Sequence, residues 1–175
     1  ASGALAIDAS LMTTADFTFV GTAEGATTPG AFTITTLGTG AHIITLGSGN
    51  DTYTSTNTAG TNTVVATAGT NTITTAAGAD AITLGTGVST VSTGAGNDTI
   101  TSATANLVST DTINGGAGTD SIILSNAWTV VDADFTNVTN VETVSYGNNA
   151  GTLTLGAASM AAGIATITDG TGVTT

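Results

Sequence analysis

Apolar residues recur through the middle of the chain in a fixed local pattern, in which the third residue of a tripeptide is Ile, Val or Tyr. Nine units share one frame: His42-Ile43-Ile44, Asp51-Thr52-Tyr53, Asn62-Thr63-Val64, Asn71-Thr72-Ile73, Asp80-Ala81-Ile82, Ser89-Thr90-Val91, Asp98-Thr99-Ile100, Asp111-Thr112-Ile113 and Asp120-Ser121-Ile122. Successive units are nine residues apart, except for eleven between Asp51 and Asn62 and thirteen between Asp98 and Asp111. Nine residues fit a short strand and a tight turn, with the apolar residue pointing inward.

A glycine stands two places before the first residue of the tripeptide in eight of the nine units, at positions 40, 49, 60, 69, 78, 87, 96 and 118. A turn that reverses the chain in so few residues needs a positive φ, which glycine adopts without a Cβ clash. Two units make one coil, so we predict an all-β fold, a right-handed parallel β-roll or β-solenoid over residues 37–125. Strand-like runs predict an N-terminal β flank over residues 1–36 and a solenoid continuation over residues 126–175.

Alternation in Val131-Asp132-Ala133-Asp134-Phe135 predicts a further strand in this C-terminal part, with Asp132 and Asp134 on one face. Such a carboxylate pair could do acid/base chemistry, but an exposed acidic face or a contact to a bound cation is the favoured interpretation.

Charge restricts the partners of this chain to cations. Among 175 residues there is no Lys or Arg and there are 12 Asp and Glu, which gives a formal net charge of −12. Nucleic acids and anionic membrane surfaces are repelled by such a chain. Cysteine is absent, which excludes disulfides, and no apolar run approaches the roughly 18 residues of a membrane helix. Because the chain begins without Met and ends in mid-pattern, we expect a fragment or a processed segment.

Successive turns of a roll alternate between its two sides, so every second unit falls in the same column. One side then carries His42, Asn62, Asp80, Asp98 and Asp120, and the other carries Asp51, Asn71, Ser89 and Asp111. Two carboxylates about 5 Å apart repel by about 3 kcal/mol at an effective dielectric constant of about 20. Three consecutive Asp on the first side therefore call for an external cation.

The repeat resembles a known family. Residues 46–54, 93–101 and 115–123 are similar to the nonapeptide G-G-x-G-x-D-x-U-x of RTX, or hemolysin-type calcium-binding, β-rolls. The resemblance implies that one Ca²⁺ lies between consecutive turns on one side, held by an Asp and by turn carbonyls from each. The residues that match as metal ligands are Asp98, Asp120, Asp80, Gly94, Gly96, Gly116, Gly118, Gly78, Asp51 and Asp111.

The neighbours of each Asp restrict this set of metal ligands. No two Asp adjoin on the second side, and Asp51, whose next neighbour there is Asn71, predicts at most a weak or half-built site. For every Asp of the set, the alternative is that its side chain only caps a turn. Asn62, Asn71 and Ser89 can stack without an ion, so the N-terminal half of the roll is expected to be largely calcium-independent.

The resemblance implies a structural function. The stretches at 9–11, 138–144 and 152–156 also resemble the Thr/Ala/Gly-rich linking stretches of bacterial surface-layer proteins. We therefore expect a calcium-stabilised, non-enzymatic segment of a secreted, extracellular cell-surface protein that self-associates in a lattice or a longer chain. The alternatives are an adhesin, the calcium-binding tail of a secreted enzyme, or an ice-binding roll with short ladders at 61–63 and 70–72. No active site is indicated, since the one histidine, His42, occupies an Asp position.

Overall fold

The structure is a computed structural model that describes residues 3–21, 30–103, 106–126, 128–146 and 151–169, with the backbone alone at position 128. The predicted terminal segments therefore include residues 1–2 and 170–175, which lie outside the described residues. Within the described part, nearly all regular structure is β-strand, and the predicted all-β solenoid is confirmed.

Two parallel sheets make up the solenoid, and consecutive strands alternate between them as far as β12. The first sheet consists of β1 (Leu5–Ala9), β3 (Phe32–Thr36), β5 (Thr52–Ser55), β7 (Asn71–Thr74), β9 (Ser89–Ser92), β11 (Thr112–Asn114) and β14 (Val138–Thr139). The second sheet consists of β2 (Phe17–Val20), β4 (His42–Thr45), β6 (Asn62–Val65), β8 (Ala81–Leu84), β10 (Thr99–Ser102), β12 (Ser121–Leu124), β15 (Thr143–Tyr146) and β17 (Thr166–Asp169). Both sheets therefore run past residues 37–125 at each end.

The apolar column of the repeat forms the core between the two sheets. Its nine members are at most 1% exposed: Ile44, Tyr53, Val64, Ile73, Ile82, Val91, Ile100, Ile113 and Ile122. Ile34 and Val144 extend this column into β3 and β15 and are also fully buried. Burial of these side chains is the main favourable term that holds successive coils together.

The C-terminal flank departs from the expected strands. Residues Asp132–Phe135 form a 3₁₀ helix, so the predicted strand is wrong there, and Ala157–Ala162 form the short helix α1. Asp132 accepts hydrogen bonds from the backbone N–H groups of Ala158 and Ser159 at 3.0 and 2.9 Å, so its carboxylate caps α1. A separate parallel pair joins β13 (Trp128–Val130) to β16 (Gly151–Leu153). No helix in the described ranges has the length and apolar character needed to cross a membrane.

Glycine at the turn is required by the stacking of one coil on the next. Gly87 has a φ of 117°, and a Cβ built on it would overlap the carbonyl oxygen of Gly69 in the preceding coil. The same overlap recurs between Gly118 and the carbonyl oxygen of Gly96. A side chain at this position would therefore force neighbouring coils apart as well as strain the backbone.

Replacement of Gly87 by Ala tests this stacking constraint away from the acidic turns. We expect Gly87→Ala to lower the free energy of unfolding by about 1–3 kcal/mol, because Ala meets both the positive φ and the Gly69 carbonyl. Denaturant unfolding monitored by circular dichroism measures it, with Thr86→Ala at the neighbouring exposed position as the control. Equal stability of the two variants would contradict the constraint.

Candidate metal centre

The first residues of the tripeptides form two columns where turns run into strands. The first column lies along the second sheet and contains His42, Asn62, Asp80, Asp98, Asp120 and Glu142. The second column lies along the first sheet and contains Asp51, Asn71, Ser89 and Asp111. Apart from Glu142, these are the two groups that the alternation of turns predicts.

A ladder of hydrogen bonds connects the coils along the first column. The backbone N–H of Asp80 donates to Asp98 Oδ1 at 2.8 Å, and that of Asp98 donates to Asp120 Oδ1 at 2.8 Å. The ladder continues from the N–H of Asp120 to Glu142 Oε2 at 2.7 Å. One oxygen of each carboxylate therefore reaches back to the preceding coil, which fixes the orientation of the group.

The second oxygen of these carboxylates has no hydrogen-bond partner. Asp80, Asp98 and Asp120 are at most 2% exposed, and the Oδ2 atom of each is buried and unpaired within the described residues. Buried unpaired oxygens of this kind are costly, and the chain contains no Lys or Arg to neutralise them. Three such oxygens in consecutive coils fit a hard divalent cation that takes oxygen ligands, which is the chemistry of Ca²⁺.

Burial also shifts the proton affinity of these groups. Loss of hydration raises the pKa of Asp80 and of Asp120 above the ordinary carboxyl value. The charge of Asp98 adds to the rise at both residues, and Glu142 adds to it at Asp120. The ion-free column thus holds its negative charge at a cost in stability.

The second column is less uniform than the first. Asp51 is 1% exposed and its Oδ2 is also unpaired, while its Oδ1 accepts the N–H of Phe32 at 2.8 Å. In contrast, Asp111 uses both oxygens, accepting the N–H of Ser89 at 2.7 Å and that of Val108 at 3.0 Å. Asp111 therefore fits the turn-capping role that was the alternative to metal binding. Asp51 retains one oxygen that an ion could use.

The glycine turns beside Asp98 and Asp120 have the same conformation. Gly94 and Gly116 have φ values of 93° and 94°, and Gly96 and Gly118 have φ values of 145° and 144°. Gly78, beside Asp80, has a φ of 112°, and its carbonyl oxygen lies against Gly96, where only the missing Cβ makes room for it. The predicted turn ligands are thus brought together in one stack with the three carboxylates. Three or more His, Asp or Glu side chains do not gather into one cluster in the described part, so an ion would rely on carboxylate pairs and turn carbonyls.

Neutral side chains replace the carboxylates at the N-terminal end of the first column. Asn62 donates from Nδ2 to Asp80 Oδ1 at 2.8 Å, and its own Oδ1 accepts the hydroxyl of Tyr53 at 2.7 Å. His42 Nδ1 lies 3.2 Å from Asn62 Oδ1, and Asn57, from the insertion after β5, contacts both residues. An amide donor therefore occupies the position between coils where an ion would otherwise be needed.

Glu142 is the one member of the first column that the sequence analysis missed. It follows Asp120 by 22 residues, the same separation as between Asp98 and Asp120. The tripeptide Glu142-Thr143-Val144 also fits the repeat, with Val144 buried in the apolar column. The repeat spacing of Glu142 is therefore visible in the sequence. It escaped notice because Glu142 is not an Asp and is preceded by Asn140-Val141 instead of a glycine turn.

Comparison with protein families decides what kind of repeat this is. Residues 56–91, 83–103 and 109–126 match the family model of the RTX calcium-binding nonapeptide repeat, in four copies. This segment is an RTX β-roll. No curated protein and no solved structure matches the chain.

The RTX match and the buried carboxylates coincide. The matched ranges contain Asp80, Asp98, Asp111 and Asp120, and they leave out Asp51 and Glu142. RTX nonapeptides are calcium-binding repeats, and the buried, unpaired oxygens of Asp80, Asp98 and Asp120 lie within the matched ranges of the described roll. The assignment of individual ligands stays a prediction.

Acidification separates the ion-free roll from the calcium-loaded one. Because burial raises the pKa of Asp51, Asp80 and Asp120, the folded ion-free chain binds more protons than the unfolded chain between the ordinary carboxyl pKa of about 3.9 and the raised values. Its stability should therefore rise as the pH falls through this window, and it should be lost as the pH rises. With Ca²⁺ present the sign reverses, since protons compete with the ion.

Melting temperatures recorded across this pH range, once after removal of calcium and once with saturating calcium, measure how stability depends on pH in each state. The double variant Asp80→Asn/Asp120→Asn serves as the control and should show a flatter ion-free slope. An ion-free melting temperature that falls on mild acidification would contradict the burial of ionised carboxylates.

Proposed function

We propose that Ca²⁺ binds along the first column, between Asp98 and Asp120 and between Asp80 and Asp98, and that these ions stabilise the roll. The observation that supports this most strongly is the run of three buried, unpaired Oδ2 atoms in a chain without Lys or Arg. A calcium ion supplies positive charge and takes six to eight oxygen ligands.

The chain itself prepares each site. Backbone N–H groups hold Oδ1 of Asp98 and Asp120, so Oδ2 is left for the ion without further ordering of the side chain. Glycine turns keep side chains out of the space between coils, where the carbonyl oxygens of Gly78 and Gly96 face the next turn. Since the unfolded chain has no such arrangement, the binding free energy would become folding free energy.

Glu142 extends the same arrangement by one coil. Its Oε2 accepts the N–H of Asp120 in the way that each Asp accepts from the preceding coil, and Asp120 Oδ2 is unpaired. We propose a third position for Ca²⁺ between Asp120 and Glu142. Glu142 is only half-buried, so this position should be the weakest of the three.

Calorimetric titration with Ca²⁺ tests the ligand assignment. Asp98→Asn removes a carboxylate shared by two positions and should lower the number of bound ions by two, whereas Glu142→Gln should remove only the weakest binding step. Asp111→Asn is the matched control, because both Asp111 oxygens already accept hydrogen bonds, and its calcium stoichiometry should equal that of the parent. Absence of calcium binding by the parent chain, or equal loss in all three variants, would overturn the proposal.

We further propose that the segment is part of a secreted, extracellular cell-surface protein of the surface-layer type. The acidic chain repels itself where calcium is scarce and would fold where calcium is abundant, which favours folding outside the cell. We assign it no catalytic role, because its one histidine is buried in a hydrogen-bonded cluster.

Self-association in a calcium-dependent lattice follows from that proposal. Among the described residues, β1, β2 and β17 end the ladders of paired strands, whereas α1 packs against β14 at the fourth end. Unpaired edges of this kind favour stacking of further coils. Sedimentation velocity should show larger species with Ca²⁺ than with a chelator, and a chain that stays monomeric in calcium at high concentration would contradict lattice formation.

A further inference from the structure

The outer face of the first sheet carries two continuous columns of short polar side chains. Strand register aligns one of these outer columns as Thr33, Thr52, Thr72, Thr90 and Thr112. The other outer column lies two residues further along each strand and consists of Thr35, Thr54, Thr74, Ser92 and Asn114. These ten residues on β3, β5, β7, β9 and β11 are termed the threonine face.

The hydroxyl groups of the threonine face are not used by the protein. Within the described residues, none of its eight Thr side chains donates a hydrogen bond to a protein group or accepts one from it. The face also carries no charge over these five strands, although the chain has a net charge of −12. Asp8, aligned with Thr35, lies just beyond its N-terminal end. The partner of this face should therefore be uncharged and should satisfy many hydroxyls at once.

The opposite sheet shows that this regularity is more than Thr-rich composition. Its outward positions include Val20 and Ile43, which are 62% and 51% exposed, and also Val65, Ala81 and Ile123. Its longest unbroken column of hydroxyls in the described strands, Thr99, Ser121, Thr143 and Thr166, spans four coils, whereas Thr33 to Thr112 span five on the first sheet. The apolar residues at these positions interrupt the hydroxyl columns of the second sheet, whereas no apolar residue interrupts either column of the threonine face.

The geometry of the threonine face is repetitive in two directions. Parallel strands place its hydroxyls about 4.8 Å apart across the sheet, and residues two apart place them about 6.6 Å apart along each strand. Branching at Cβ restricts the side-chain rotamers of Thr, so the array is stiff. Both repeats are close to those of the oxygen atoms on the prism face of hexagonal ice.

We propose that the threonine face binds ice. Its hydroxyl groups would hold water molecules at spacings that the ice lattice continues, while the Thr methyl groups keep the face weakly hydrated. The absence of carboxylates favours this role, because a charged side chain orders water around itself in a pattern that does not match a crystal. The proposal concerns the outer surface of the first sheet, and it is independent of the buried carboxylates beside the second.

Thermal hysteresis of the calcium-saturated chain tests this proposal. The parent chain should separate the melting and freezing temperatures and shape growing ice crystals. Thr72→Tyr, at the centre of the face, should lose most of this activity, with Thr90→Tyr as a second variant. Thr63→Tyr is the matched control, because Thr63 and Thr72 occupy the same place in their repeat units, both are exposed, and they lie on opposite sheets.

Circular dichroism and calcium titration confirm that each variant is folded before its hysteresis is compared. Absence of hysteresis in the folded parent chain would overturn the proposal, as would equal loss in Thr63→Tyr and Thr72→Tyr. Dimerisation abolished by Thr72→Tyr, in a parent chain without hysteresis, would instead assign the face to contact with a second copy.

Discussion

Parallel stacking of coils in register, about 4.8 Å apart, is the constraint on which the rest of this structure depends. It repeats each position of the coil as a column, so every residue must be compatible with its equivalents in the coils before and after it. Aliphatic side chains meet this condition by packing, as Ile73, Val91 and Ile113 do in the core. Glycine meets it by leaving room for the neighbouring carbonyl.

Carboxylates do not meet this condition without help, and the chain provides help of two kinds. At the N-terminal end of the first column, the Asn62 amide donates to Asp80 and replaces a cation by a hydrogen bond. From Asp80 to Asp120, the column keeps three carboxylates, and one oxygen of each has no partner among the described residues. The first solution needs no ion, whereas the second is the arrangement that we propose Ca²⁺ completes.

The repeat frame was predictable because strand, turn and core requirements coincide within nine residues. The spacing of the repeat units alone predicts the buried apolar column and the division of the turns between the two sides of the roll. It also predicts which turn residues are the same-side neighbours of Asp98. The 3₁₀ helix at Asp132–Phe135 was not predictable in this way, because its Asp132 carboxylate caps α1, which lies 26 residues further along the chain. Alternation within five residues carries no information about such a contact.

Two other features needed the structure for a different reason. Glu142 lies beyond the last glycine turn of the repeat, and only its bond to Asp120 reveals that the column continues. The threonine face depends on strand register across five strands. The sequence pattern alone indicated only the short polar ladders around Asn62 and Asn71. Those residues lie on opposite sheets, as predicted, but the long columns run through Thr72 and Thr74 of the first sheet alone.

Anomalous scattering from crystals grown in calcium would test the central claim most directly, since it locates each ion without reference to stability. The account predicts peaks between Asp80 and Asp98 and between Asp98 and Asp120, each in contact with an Oδ2 atom that is unpaired in the ion-free chain. Absence of anomalous density at both positions, with the carboxylates paired to each other through protons, would contradict it.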